Sequence, residues 1–480
     1  MASNNPVLNK IEELKPTFIK RLSDAIAIPA VSGDESLRPK VVEKAHFLAK
    51  QLKDLGFHDI QLKDLGVQPP PVSDSNLKLP PVILSRYGNN DSKNKKKTIL
   101  IYGHYDVQPA LKEDGWDTEP FTFYLDEEKQ IMRGRGVTDD TGPLLGWLNV
   151  VQAYREAGKE LPVNLITCFE GMEESGSIGL DKLIIEEADK YFKDVDTVCI
   201  SDNYWLGTKK PVLTYGLRGC NYYQITIKGP KADLHSGVFG GCVTEPMIDL
   251  VHVLQSLVKP NGEIQIAGIK EMVAPVTETE NQIYEKIDFS VEELNQAIGS
   301  KTSLYDNKRD ILMHRWRYPS LSIHGVEGAF YGPGAKTVIP GQVIGKFSIR
   351  TVPDIDSKKL DQLVIDHCNK VFAELKSPNT FKTELVHDGN YWITDPFNKS
   401  FTAAARATKD IYGVEPDLTR EGGSIPITLT FEKALKTNVL LLPMGRGDDA
   451  AHSINEKLDV SNYINGMKIM ANYLLYYSED

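Results

Sequence analysis

Apolar residues recur at Ile11, Leu14, Phe18, Leu22 and Ile26, and again at Val41, Val42, Ala45, Leu48 and Leu52. Helical spacing therefore predicts two amphipathic helices in the first sixty residues. The stretch PAVSGDES separates them, and residues 69–81, dense in Pro, Ser and Asp, read as a surface loop. Downstream the pattern changes to short unbroken apolar runs that close on polar residues: TILIY then GHYD, VNLITCF then EGMEES, TVCI then SDN, and NVLLLP then MGRGDDAAH. A helical pattern over 143–157 lies between the first two runs. Such runs, interleaved with helices, predict an α/β domain whose mostly parallel sheet is covered by helices on both faces. Open sheets of this kind hold ligands at the carboxyl ends of their strands. The polar clusters fall there.

The middle of the chain differs. NYYQITIK (221–228) alternates as a half-exposed strand does, 245–258 is amphipathic, 345–352 alternates again, 358–375 is a second helix and 381–386 another strand. Two strand–helix units predict a smaller α+β domain inserted into the larger one, with borders near 215 and 395. The division is then 1–214 with 396–480, and 215–395.

Composition narrows the function classes. The 480 residues carry a formal net charge of −11, from 55 basic and 66 acidic side chains, which repels phosphate backbones and argues against nucleic acid. The basic run at 95–97 follows Asn, Asp and Ser and reads as a solvated loop. The apolar runs are too short for a membrane span. The segment MASNNPVLNKIEELKP has no apolar core or cleavage site, so no secretory signal is expected there. Cys168, Cys199, Cys220, Cys242 and Cys368 are odd in number, widely spaced and without CxxC, which predicts reduced thiols in a cytoplasmic protein. The sequons at Asn90 and Asn398 would then stay unglycosylated.

The strand ends carry His104 and Asp106 as HxD, then Asp139 with Asp140, Glu173 with Glu174, Asp202, and His452. Imidazole and carboxylate are the ligand set of zinc or manganese in a catalytic site. A lone histidine or acidic pair at a strand end is more often structural or merely solvated. Several carboxylates converging on one sheet edge, however, would repel one another unless a cation sat among them.

GHYDVQPA, GRGVTDDTGP, FEGMEESGS, CISDNYWLG, LHSGVFGG and DDAAHS, in that order, resemble the dinuclear metallopeptidases of clan MH, which include aminoacylases, carnosinases and dipeptidases. LMHRWRYPSLS, HGVEGAF, GAKTVIPGQVIGKFSIRTVPD and REGGSIPIT extend the resemblance over nearly the whole chain. Its nearest branch is the cytosolic nonspecific dipeptidases, with the fungal Cys-Gly dipeptidases of glutathione breakdown. The resemblance implies two divalent ions per subunit, zinc or manganese, bridged by Asp139. His104 and Asp202 would complete one shell, and Glu174 and His452 the other. Glu173 would be the general base, Asp106 would orient His104, and the Asp139–Asp140 peptide bond would be cis. The insert would serve as lid and dimerisation domain of a homodimer, with His235 reaching the partner subunit's carbonyl or oxyanion. Arg350, a planar fork suited to a carboxylate, would take the substrate's C-terminus, with Thr337, Gly423 and Ser424 adding hydrogen bonds. One departure stands out: the family reads DDKG, and Thr141 occupies the lysine position.

The alternatives weaken on inspection. GPGAKT lacks the GKT of a phosphate loop, and no GxSxG elbow is present. The expected activity is a dipeptidase acting on small peptides with a free C-terminal carboxylate, Cys-Gly included. A deacylase of N-acyl amino acids on the same scaffold is the second reading, and a non-catalytic metal-binding regulator is the third. Glu173 argues against the last, since a protein without catalysis has no need of a base beside its metals.

Overall fold

A computed structural model describes residues 5–72, 74, 76–88 and 96–479; the sequon at Asn90 and Lys95 of the basic run lie outside the described residues. Two sheets organise the chain. The larger runs in the order His58–Lys63, Val82–Tyr87, Asn164–Glu170, Thr98–His104, Thr197–Ile200, Val439–Leu441, Val212–Leu217 and Trp392–Ile393, and Asp417–Glu421 also pairs with Val212–Leu217. The four central strands are mutually parallel, antiparallel pairs flank them, and Asp417–Glu421 runs parallel to Val212–Leu217. Each central run is buried along its length because both faces are covered. Ile99, Ile101, Leu165 and Phe169 share one core with the helices Thr141–Glu156 and Val460–Glu479. Leu100, Tyr102, Ile166 and Cys168 share the opposite core with Leu180–Glu187 and Ile427–Leu435. Odd and even residues part to opposite faces, as the two-residue period of a strand requires.

The smaller sheet is antiparallel, in the order Ser320–Glu327, Gln342–Thr351, Gly219–Lys228 and Thr380–Gly389. Gly219–Lys228 alternates buried and half-buried residues, and Tyr223, Ile225 and Ile227 meet Leu250 and Val253 of Pro246–Gln255 and Leu360 and Val364 of Ser357–Leu375. The chain changes sheets at Arg218, between Leu217 and Gly219, and returns between Gly389 and Trp392.

Two segments depart from the expected pattern. The first helix is broken at Leu14 into Pro6–Glu13 and Lys15–Ile26, because Pro16 lacks the N–H that a continuous helix needs there. Within the insert, Glu278–Lys286, Val291–Ile298 and Lys308–Leu312 build a helical layer around Tyr284, Leu312 and Trp316. An ion pair and a backbone hydrogen bond fasten this layer to the strand Asp417–Glu421. Glu280 accepts from Arg317 Nε at 2.8 Å and from Arg420 Nη2 at 2.7 Å, and the Asp288 N–H donates to Asp417 at 2.7 Å. That strand leads directly into Gly423 and Ser424. Among the described residues, no helix is long and apolar enough to cross a membrane.

Candidate metal centre

Parallel pairing sets His104 opposite Glu170 and Tyr102 opposite Ile200, so the segments leaving these strands emerge side by side. Those segments carry Asp106, Glu173, Glu174 and Asp202. His104, fully buried, has its Nε2 3.1 Å from Asp139 Oδ1 and 3.6 Å from Asp202 Oδ2. The other Asp139 oxygen lies 3.0 Å from His452 Nε2, which is also 3.1 Å from Glu174 Oε2. Asp139 thus turns one oxygen to each histidine. Donor atoms of His104, Glu173 and Asp202 lie within 4.8 Å of one another, as do those of His104, Asp139 and Glu174. His452 comes from a loop where it and Ala450 adopt left-handed φ angles of 61° and 57°. The Asp139–Asp140 peptide bond is cis.

Asp106 does more than face His104. Its Oδ1 lies 3.3 Å from His104 Nδ1 and accepts the Glu173 N–H at 3.2 Å, while Oδ2 accepts the Glu174 N–H at 3.1 Å. One buried carboxylate therefore seats both glutamates beside the imidazole, whose Nδ1 also lies 3.1 Å from the Asp106 carbonyl oxygen. Glu456 treats the Asp139 segment in the same way, accepting the N–H groups of Gly136 at 3.0 Å, Thr138 at 3.0 Å and Asp139 at 3.2 Å. Asp140 Oδ2 accepts the His104 N–H at 3.1 Å, and only glycine at 103 leaves room for it: a Cβ there would stand 2.9 Å from that oxygen. Gln108 Nε2 donates to Glu174 Oε2 at 2.7 Å.

The electrostatics are those of crowded acids. Burial drives Glu173 well above the ordinary carboxylate range against the pull of His104, and burial pushes Asp202 up to about 6. Burial would also raise Asp139, but the hydrogen bonds of His104 and His452 outweigh it and hold this carboxyl low. The hydrogen bonds to Asp139 and Glu174 raise His452 to about 11. Buried carboxylates in such numbers call for positive charge.

A cavity of about 260 Å³ opens beside this cluster, lined by Asp139, Glu173, Asp202, Gly423, Ser424 and His452 among others. Arg350 reaches its rim with Nη1 3.5 Å from Ser424 Oγ. Arg218, unremarked in the sequence, stands beside it: Nε donates to the Gly422 carbonyl at 3.2 Å and Nη1 to Ser320 Oγ at 2.9 Å. Burial, then the charge of Arg350, lowers Arg218 to about 10. His235 and Thr337 do not line this cavity. Both are exposed on the ribbon formed by Leu234–His235 and Val338–Ile339, where the Ser236 N–H donates to the Thr337 carbonyl at 3.2 Å. Thr141 is buried, and Lys44 Nζ donates to its hydroxyl at 2.8 Å. No signal in the sequence marks Lys44, Glu456 or Gln108, whose partners are distant along the chain.

The signature of peptidase family M20/M25/M40 matches residues 100–476. The chain is 69% identical over 474 residues to the Cys-Gly metallodipeptidase DUG1 of Candida albicans, covering 99% of this chain and 97% of that protein. Its fold matches the dipeptidase Dug1p of Saccharomyces cerevisiae with a TM-score of 0.93 at 70% identity, over 99% of this chain and 98% of that one. It matches human carnosine dipeptidase 1 with a TM-score of 0.91 at 40% identity, over 99% and 98% of the two chains. With strand ends, carboxylate cluster and sequence in agreement, the chain belongs to peptidase family M20/M25/M40.

Proposed function

We propose that this chain is a metal-dependent dipeptidase that hydrolyses small peptides with a free C-terminal carboxylate, Cys-Gly among them. The observation that carries the reading is Asp139, whose two oxygens face His104 and His452 separately. The donor set fits two divalent ions, zinc or manganese: His104 and Asp202 on one side of Asp139, Glu174 and His452 on the other. Such ions, when bound, polarise the scissile carbonyl and acidify a water. Glu173 then takes the proton of the attacking water on its carboxylate and returns it to the leaving amine. Asp106 holds Glu173 and Glu174 by their backbone N–H groups, which fixes the base relative to the ligands.

Arg350, with Ser424 and Gly423 at the cavity rim, takes the substrate carboxylate, and this limits the enzyme to short peptides. Residues 215–395 act as lid and dimerisation domain. His235 is exposed and away from its own chain's cavity and serves the partner subunit's site, stabilising the oxyanion, while Thr337, also exposed, adds a hydrogen bond to the substrate carboxylate. Val238, Ile248, Val251 and Tyr331, which are apolar and exposed on the insert, support a homodimer. The five free cysteines, three of them buried, fit the reducing cytoplasm.

The experiment is a dipeptide panel with Cys-Gly and N-acetyl-Cys-Gly, run on metal-stripped protein reloaded with zinc or manganese. Turnover of Cys-Gly alone is expected. Preference for the acetylated substrate assigns a deacylase instead.

A further inference from the structure

Arg218 lies where the chain passes from the larger sheet to the smaller one, between the strands Val212–Leu217 and Gly219–Lys228. Its backbone N–H donates to the Glu421 carbonyl at 3.2 Å and its Nε to the Gly422 carbonyl at 3.2 Å. It thus holds two consecutive residues at the end of the strand Asp417–Glu421. From the same guanidinium, Nη1 donates to Ser320 Oγ at 2.9 Å. Ser320 stands opposite Arg350 in the strand register, and Cys220, two residues on from Arg218, stands opposite Arg350 on the other side. One side chain therefore touches both halves of the cavity rim: the segment that runs into Gly423 and Ser424, and the strand beside Arg350.

The direct contact between those halves is weak. Arg350 Nη1 is 3.5 Å from Ser424 Oγ, too long to fix their relative position. A planar fork, unlike an ammonium, can serve a carbonyl and a hydroxyl on two elements at once. Gly422 is fitted to it: a Cβ there would stand 3.1 Å from Arg218 Nη2 and 3.2 Å from the Arg315 carbonyl oxygen. We propose that Arg218 is a positioning residue of the substrate-carboxylate site: its guanidinium ties Gly422 to Ser320 and so holds Ser424 and Arg350 at the spacing that one carboxylate spans. The proposal rests on reading Arg350 and Ser424 as the groups that take the substrate's C-terminus. Arg218 acts through its neighbours and not on the reacting atoms.

The test compares full-length, metal-loaded wild type, Arg218→Met, Arg218→Lys and Ser320→Ala on Cys-Gly and on Cys-glycinamide, which lacks the carboxylate. Released cysteine gives kcat and KM for both, and the ratio of the two kcat/KM values reads carboxylate recognition. The wild type is expected to prefer Cys-Gly. Arg218→Met is expected to raise KM for Cys-Gly about 10–100-fold with kcat little changed, and to affect Cys-glycinamide far less, so that the ratio collapses. Arg218→Lys keeps the charge without the fork and should resemble Arg218→Met. Ser320→Ala removes one end of the tie and should lower the ratio about fivefold. A wild-type ratio in Arg218→Met overturns the proposal, as does a loss shared equally by both substrates, which marks a merely structural residue. Wild-type behaviour in Arg218→Lys overturns it too, since charge alone then suffices, and so does an unchanged ratio in Ser320→Ala. If the Arg218 variants do not fold, Ser320→Ala decides: a lowered ratio supports the tie, and an unchanged one overturns it. A wild type that hydrolyses both substrates alike, or neither, overturns the carboxylate reading and the proposal with it. A discriminating wild type beside an equally discriminating Arg218→Met overturns the proposal alone.

Discussion

Asp106 Oδ2 accepts the backbone N–H of Glu174 at 3.1 Å, so the position of a proposed ligand is set by an acid that is not one itself. The other oxygen of Asp106 takes the Glu173 N–H. Asp106→Asn turns one acceptor into a donor facing an N–H group. It is expected to lower metal affinity and turnover by about 10–100-fold with little change in melting temperature. Metal competition and steady-state kinetics check this.

Glu173→Gln keeps the size of the side chain and its backbone hydrogen bond to Asp106 but cannot accept a proton. Turnover is expected to fall about 10²–10⁴-fold while both ions stay bound. Elemental analysis beside single-turnover kinetics checks it; near-normal turnover with metal retained removes Glu173 from the mechanism.

His235 is tested by complementation. Inactive His235→Ala is mixed with inactive Glu173→Gln under conditions that exchange subunits. If His235 acts across the interface, each heterodimer has one site lacking both groups and one intact. Activity should return to at most half the wild-type value per heterodimer. Verified exchange without recovery excludes the trans arrangement.

Glu280 is shared by Arg317 and Arg420, which are 3% and 6% exposed. Glu280→Ala leaves two buried guanidinium groups short of their anion and should destabilise the chain by about 3 kcal/mol, read from urea unfolding. Because Arg420 lies on the strand that leads to Ser424, KM for Cys-Gly should rise as well.

What the sequence made legible follows from the range of each interaction. TILIY and VNLITCF are continuous apolar runs because those strands are buried on both faces, and their ends are polar because the chain leaves the core there. Hence the strand-end histidine and carboxylates stood out, and the structure gathers His104, Asp106, Asp139, Glu173, Glu174, Asp202 and His452 into one cluster, of which Asp139, Glu173, Asp202 and His452 line the cavity. The helical layer near Trp316 was invisible, since its short helices close on polar caps such as Thr277 and Ser290 and its core is small. Lys44 was hidden for the opposite reason. A lysine beside Val41 and Ala45 looks like the solvent edge of a helix until Thr141, distant in sequence, is found against it.

The central claim is that two ions, bridged by Asp139, make this chain a peptidase. The most direct measurement titrates metal-free protein with manganese or zinc while following Cys-Gly hydrolysis. The account predicts no hydrolysis without metal and a plateau at two equivalents per chain. A plateau at one equivalent, or hydrolysis by the metal-free protein, would contradict it.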